Sequence, residues 1–322
     1  MTCGREVALS VSGLILASVV VLGQSKGPAT AKAEEPSNFT IRTTSRLVLL
    51  DVSVKDTSGG FVSGLSKDNF KIYENGKPVP ITQFANADIP VTVGIAVDES
   101  GSMRPKRAEV VTAALAFNQA SNPMDEMFIV NFNEKPRRGL PDDVLFSDNV
   151  QQLRLALYQG QPEGRTTLYD AIEMSLKQLE FGRRDKKALV VISDGGDNHS
   201  QHTLEDVTRD VLKSVATIYT VAIYDEDDPE KNEGVLKKLA QVSGGVYYHP
   251  VELAEIVPIC RQIAQDIRTR YTIGYVPPAE GKVERHIKVA ASSPDHPKLA
   301  VRTRTNYVFS PDQAASSGKL PQ

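Results

Sequence analysis

The chain has no tryptophan and two cysteines, and neither sign of charge dominates it: 37 Lys and Arg stand against 40 Asp and Glu, a formal net charge of −3 over 322 residues. Two cysteines cannot build a disulfide framework. The balanced charge lacks the basic footprint by which nucleic-acid binders hold phosphate, so nucleic acid is not an expected partner. Residues are 40% hydrophobic, 24% charged and 6% aromatic, which excludes a polytopic membrane protein, a collagen-like repeat and a disordered chain. Familiar catalytic signatures are also missing: there is no G-x-S-x-G elbow, no P-loop and no H-E-x-x-H.

The amino terminus holds Arg5, an apolar run from Val7 to Gly23, and a small-residue stretch ending in Ala31-Lys32-Ala33. This is the layout of a secretory signal over residues 1–33. The apolar run of about 17 residues reaches the lower limit for crossing a bilayer core of about 30 Å, so an uncleaved membrane anchor is the alternative. Either way the chain is expected to be exported, to the periplasm, the cell surface or the medium. Cleavage removes Cys3 and leaves Cys260, set in the apolar-periodic stretch AEIVPICRQIAQDI and expected as a buried thiol on a helix face.

Residues 39–88 read as a small all-β segment. Within it Asn75-Gly76 sits between Phe70–Glu74 and Val79–Phe84, the signal of a hairpin turn that needs positive φ. From residue 90 the pattern changes to continuous apolar strands such as VTVGIAV and ALVVI alternating with helices of ten to fifteen residues. That alternation predicts an α/β fold over 90–268, doubly wound around a mainly parallel sheet. Residues 269–309 return to β, and 310–322 form a polar tail expected to be disordered. Each β segment alone is marginal in strand number. The two are expected to pair into one β-sandwich interrupted by the α/β block, with two separate β modules as the alternative.

Three clusters fall where ligands bind in such a sheet, beyond the carboxyl ends of the strands. The first strand runs into Asp98-Glu99-Ser100-Gly101-Ser102, a helix opens with Gly164-Arg165-Thr166-Thr167-Leu168-Tyr169-Asp170-Ala171, and ALVVI closes on Ser193-Asp194-Gly195-Gly196-Asp197. Asp98, Ser100, Ser102, Thr166 and Asp194 together offer two carboxylates and three hydroxyls, an all-oxygen set suited to Mg²⁺, with Mn²⁺ or Ca²⁺ as alternatives. Asp170 and Asp197 read as capping residues or supports for the ligands. The acidic run Asp225–Asp228 reads as a solvated loop, and His199 and His202 as surface residues.

D-x-S-x-S, then G-x-T-x-L-x-D-A, then an apolar strand ending in S-D-G resemble, in that order, the von Willebrand factor type A domain with its metal-ion-dependent adhesion site. The resemblance implies that Asp98, Ser100 and Ser102 contact the ion directly or through water, that Thr166 supplies the second loop's hydroxyl and Asp194 the third loop's carboxylate. Arg165 departs from the family's usual G-G-T and adds a cation beside the site. The whole layout is similar to exported bacterial A-domain proteins of the kind described from Acidobacteria. The function this implies is metal-dependent adhesion: capture of an Asp or Glu side chain on a protein partner, with no small-molecule substrate and no catalysis. The alternatives are an envelope scaffold whose metal is structural and, further off, a Mg²⁺-dependent phosphatase-like hydrolase, for which a second acidic residue and a suitably placed Lys are lacking.

Overall fold

Strand β1 (Val48–Lys55) buries Leu50, Val52 and Val54, the period of two that puts alternate side chains on one face. Next comes the hairpin of β2 (Phe70–Glu74) and β3 (Lys77–Val79), where Asn75 and Gly76 adopt φ of 49° and 80°, as a type I′ turn requires. The expected second arm, Val79–Phe84, is broken in two. Pro80 cannot donate to a ladder, and the chain leaves β3 to form β4 (Gln83–Ala85) in a different sheet. The computed structural model describes residues 47–224, 231–278 and 283–309; the expected signal segment, the start of the first β segment, the acidic run Asp225–Asp228 and the tail 310–322 lie outside the described residues.

The α/β block follows as β5 (Val91–Asp98), α1 (Arg107–Ala120), β6 (Glu126–Phe132), β7 (Pro136–Arg138), α2 (Val150–Leu157), α3 (Leu168–Glu180), β8 (Lys186–Ser193), α4 (Leu204–Lys213), β9 (Thr217–Ala222), α5 (Glu233–Ser243), β10 (Tyr247–Tyr248) and α6 (Ile256–Thr269). Its six strands are ordered β10-β9-β8-β5-β6-β7, all parallel except β7. Every residue of β5, β6 and β9 is buried, so helices cover both faces, as a parallel sheet needs. Helix α1 neighbours both α2 and α6, and α4 neighbours both α3 and α5. The short edge strand β7, with the sequence PRR, carries no apolar signal and was not foreseen.

The last strands are β11 (Tyr271–Tyr275), β12 (Glu284–Ala291), β13 (Ala300–Arg302) and β14 (Asn306–Val308). They interleave with the first ones in two four-stranded sheets, β13-β1-β11-β4 and β14-β12-β2-β3. A separate apolar core forms between these sheets from residues of both segments, among them Leu50, Phe70, Ile72, Tyr271 and Ile287. Glu74 adds a buried polar tie, accepting from Tyr275 Oη at 2.7 Å, Tyr307 Oη at 2.9 Å and Arg285 Nη1 at 2.8 Å.

Asp266, near the end of α6 and 0% exposed, joins this sandwich to the α/β block. Ser53 of β1 donates to its Oδ1 at 2.7 Å, while Tyr219 of β9 (2.7 Å), Arg270 Nη2 (2.9 Å) and Arg302 Nη2 of β13 (2.6 Å) donate to Oδ2. Burial pushes this carboxyl up, but Arg270 and Arg302, with the two hydroxyls, overcome it and hold the group well below the usual carboxylate range. Beside it Gly244, with φ of 79°, packs so closely that a Cβ would lie 2.3 Å from Arg304 N.

Removing one partner of a buried pair leaves an uncompensated charge, at a cost of about 3–5 kcal/mol. Asp266→Ala is therefore expected to lower the unfolding free energy by about that amount in urea titrations. Because its folded-state pKa lies below the unfolded one, the Asp266 contribution is complete above about pH 5 and is lost progressively as the pH falls below about 4 towards the folded-state value. The wild type is thus expected to lose stability more steeply than Asp266→Asn between about pH 4 and pH 2. Parallel pH curves for the two proteins would contradict the assignment.

Candidate metal centre

The site begins where β5 ends. Asp98 is the last residue of a fully buried strand, so its carboxylate is carried to the carboxyl edge of the sheet by a rigid element. Glu99 N donates to Phe132 O at 2.7 Å, and Ser100 N donates to Asp98 Oδ1 at 2.8 Å, which curls the chain into a 3₁₀ turn over Gly101–Lys106 and then into α1. The adjacent parallel strand β8 delivers the third loop: Ser193 Oγ donates to Asp98 Oδ2 at 2.6 Å.

From there the hydroxyls link the two acids. Ser100 Oγ and Ser102 Oγ lie 3.1 Å apart, and Ser102 Oγ donates to Asp194 Oδ2 at 2.6 Å. Asp194 Oδ1 accepts from Gly196 N at 2.9 Å. The second loop closes against both of the others. Gly101 N donates to Gly164 O at 3.4 Å, and Asn198 takes Thr166 N on its Oδ1 at 3.0 Å while giving its own N–H to Thr166 O at 3.1 Å. Asp98, Ser100, Ser102 and Asp194 thus form one hydrogen-bonded chain, and Thr166 is brought beside it through its backbone. Thr166 is buried, and its hydroxyl has no hydrogen-bond partner among the described residues.

Asp170 and Asp197 stand apart from this chain and fasten the third loop to the start of α3. Asp197 Oδ2 accepts from Tyr169 N at 3.0 Å and from Ser200 Oγ at 2.5 Å; Asp170 Oδ1 accepts from His202 N at 3.0 Å and contacts His202 Nδ1 at 2.7 Å. His199 is exposed and meets the Arg165 guanidinium at 3.2 Å, so Arg165 lies on the rim.

Sequence reasoning missed Glu99 and Ser193. Glu99 is buried between Arg107 (3.3 Å) and Arg137 (3.4 Å), and Arg107 also donates to Gly160 O. Burial raises the Glu99 pKa against both guanidiniums. These contacts bind the first loop to β7 and to the segment before Gly164, pairings with no local sequence signature. Ser193 did have one: in a parallel ladder with Val97 opposite Ile192, the next residue of β8 must fall beside Asp98.

Asp98 and Asp194 are 3% and 2% exposed, and neither has a cationic partner among the described residues. Burial, and after it the Asp194 carboxylate, pushes Asp98 well above the usual carboxylate range, against hydrogen bonds from Ser100 and Ser193. Two buried acids side by side without a counter-charge are unfavourable. A hard divalent cation would remove that penalty, and the remaining donors are all oxygen. The residues present therefore fit such an ion. No group of three or more His, Cys, Asp or Glu that could hold a metal ion gathers among the described residues.

Residues 93–196 match the model of the von Willebrand factor type A domain. No curated protein matches the chain. Among solved structures, a von Willebrand factor type A protein from Catenulispora acidiphila is similar at 14% identity and a TM-score of 0.50, over 85% of this chain and 77% of its own. The von Willebrand factor domain of the type V pili tip protein Mfa5 from Porphyromonas gingivalis is similar at 13% identity and a TM-score of 0.48, over 61% of this chain and 99% of its own. Proximal thread matrix protein 1 from the mussel byssus, described with a zinc-occupied MIDAS motif, is similar at 12% identity and 0.46, over 56% and 48%.

Gly195 has φ of 86°, and a Cβ there would lie 2.4 Å from Asn232 O, whereas at Gly234 the nearest atom is 3.5 Å away. Gly195→Ala is expected to cost about 1–3 kcal/mol. Gly234→Ala, within α5, is expected to be neutral or to stabilise by up to about 1 kcal/mol. Chemical denaturation of both variants checks this; equal midpoints would contradict the close approach.

Proposed function

We propose, from the premise that the chain carries a von Willebrand factor type A domain, that it is an exported binding module which captures an acidic group of a protein partner through a divalent cation. The observation that carries this reading is the pair of buried carboxylates, Asp98 and Asp194, joined by serine hydroxyls and lacking any cationic partner among the described residues. Asp98, Ser100, Ser102, Thr166 and Asp194 would hold the ion. Once bound, it would supply an electrophilic position able to accept a carboxylate oxygen from another molecule, as open metal sites do.

The chain's own residues do the rest. Asp98 at the end of β5 and Asp194 just beyond the end of the adjacent β8 would compensate the ion's charge, so their positions are set by the sheet. Ser193 and the amides of Ser100 and Gly196 hold the carboxylate oxygens in orientation. Glu99 with Arg107 and Arg137 fixes the first loop from beneath, and Arg165 on the rim adds a positive charge that favours an approaching acid. No catalytic step is part of this function. Cys260, the free thiol, is fully buried and its pKa is pushed up to about 12 by burial, which unfits it as a nucleophile.

Calorimetry of the full chain with Mg²⁺ and with Mn²⁺ is expected to show one site, lost in Asp98→Ala and in Asp194→Ala. The ion is expected to raise the melting temperature by mass action, equivalent to about 2.7 kcal/mol at a hundredfold excess over Kd. On an array of Asp-, Glu-, Asn- and Gln-bearing peptides, binding is expected to be confined to the acidic members and to vanish in chelator. Stabilisation by the ion without acid-selective binding would assign the metal a structural role, and indifference to the ion would overturn the reading.

A further inference from the structure

A groove of about 580 Å³ runs between the α/β block and the sandwich, walled by α5 and Gly245–Tyr247 on one side and by β12, β13 and Thr303–Thr305 on the other. Its volume is in the range of ligand-binding clefts, which favour the junctions between lobes. It adjoins Gly245, at the beginning of the strand that runs alongside β9, whereas Asp98 lies where its parallel strand ends. The groove and the candidate metal centre therefore occupy opposite ends of the sheet.

Two properties of the walls define what the groove fits. The first is backbone. β10 and β13 are end strands of their sheets, and β12 pairs with β14 only over Glu284–His286, where Ile287 N then donates to Thr305 O, and with β2 over Ile287–Ala291, which leaves the rest of its outer edge without a strand partner among the described residues. Strand edges of this kind present N–H and C=O groups that an extended chain can pair with. The second is charge. Lys237, His286, Lys288, Arg302 and Arg304 line the groove, and no Asp or Glu among the described residues does.

Lys237 is paired with Glu233 and Arg302 with Asp266, but Lys288 and Arg304 have no carboxylate within ion-pair distance among the described residues. Lys288 is exposed. Arg304 is 8% exposed and donates Nη2 to Ser214 O and Ala216 O; burial draws its pKa down to about 10. A buried cation without a counter-charge is unfavourable, and an incoming anion would relieve it. Apolar side chains, among them Val246, Val289 and Val301, alternate with these cations along the walls.

We infer that this groove is a second binding site, which takes an extended acidic segment of a partner polypeptide, its main chain laid along the open strand edges and its carboxylates meeting Lys288 and Arg304. This is strand addition with charge selection, in which backbone bonds give affinity and side-chain pockets give specificity.

The test is fluorescence anisotropy of a labelled octapeptide of alternating valine and glutamate with the full chain, in EDTA so that no divalent ion contributes. Saturable binding is expected, weakening with added salt, absent for the valine–lysine counterpart, and unchanged in Asp98→Ala. Lys288→Glu and Lys237→Glu are each expected to weaken it about tenfold or more, equivalent to about 1.4 kcal/mol, while Lys288→Arg retains it. Unaltered affinity in both charge reversals would overturn the inference, as would a requirement for Mg²⁺ with loss in Asp98→Ala, which would send the acid to the metal centre. Tighter binding of a sulfated oligosaccharide than of the peptide, blocked by Lys288→Glu, would assign the groove to a saccharide and overturn the polypeptide reading.

Discussion

The carboxylate of Asp266 receives hydrogen bonds from residues of β1, β9, β13 and the segment leaving α6, so parts of the chain as far as 213 residues from it in sequence converge on two oxygen atoms. A buried charge is tolerated only where its lone pairs are satisfied and a counter-charge is at hand, and this one has both. Its effect on the rest of the molecule is positional. Asp266 fixes the end of α6, α6 packs along α1, and α1 starts at Arg107, which grips Glu99 in the loop that carries Asp98 and Ser100. The lobe junction and the site are thereby linked through elements packed on one another.

The same residue type meets opposite circumstances at the two ends of the sheet. Asp266 is compensated from within by two guanidiniums. Asp98 and Asp194 are as deeply buried, yet their described partners are hydroxyls and amides that orient oxygen without supplying charge. One buried acid is thus paired fully, while two others have no cationic partner among the described residues. Arg304, on the groove wall, shows the converse imbalance.

Much of this was legible in the amino-acid order because it is local. The continuous apolar runs of β5 and β8 announced a parallel sheet, and D-x-S-x-S and S-D-G sit directly at the ends of those strands. Asn75-Gly76 announced its turn. The remainder was not legible because it depends on partners remote in sequence. Nothing near Glu99 foretells Arg137, and nothing near Ser53 foretells Asp266. β4 escaped for another reason: Val79–Phe84 reads as one apolar strand, and only Pro80 hints that its halves serve different sheets. β7 and β14 are three residues long and too short to carry a period.

The α/β block is entered from β4 and left into β11, and these two strands are neighbours, with Ala85 opposite Thr272 and Phe84 opposite Ile273. The connections in and out of the block are therefore separated by a single strand spacing and clasped by a ladder. Tension drawn along the polypeptide would pass from β4 to β11 across that ladder, and the block beyond it would bear no load until the ladder parted.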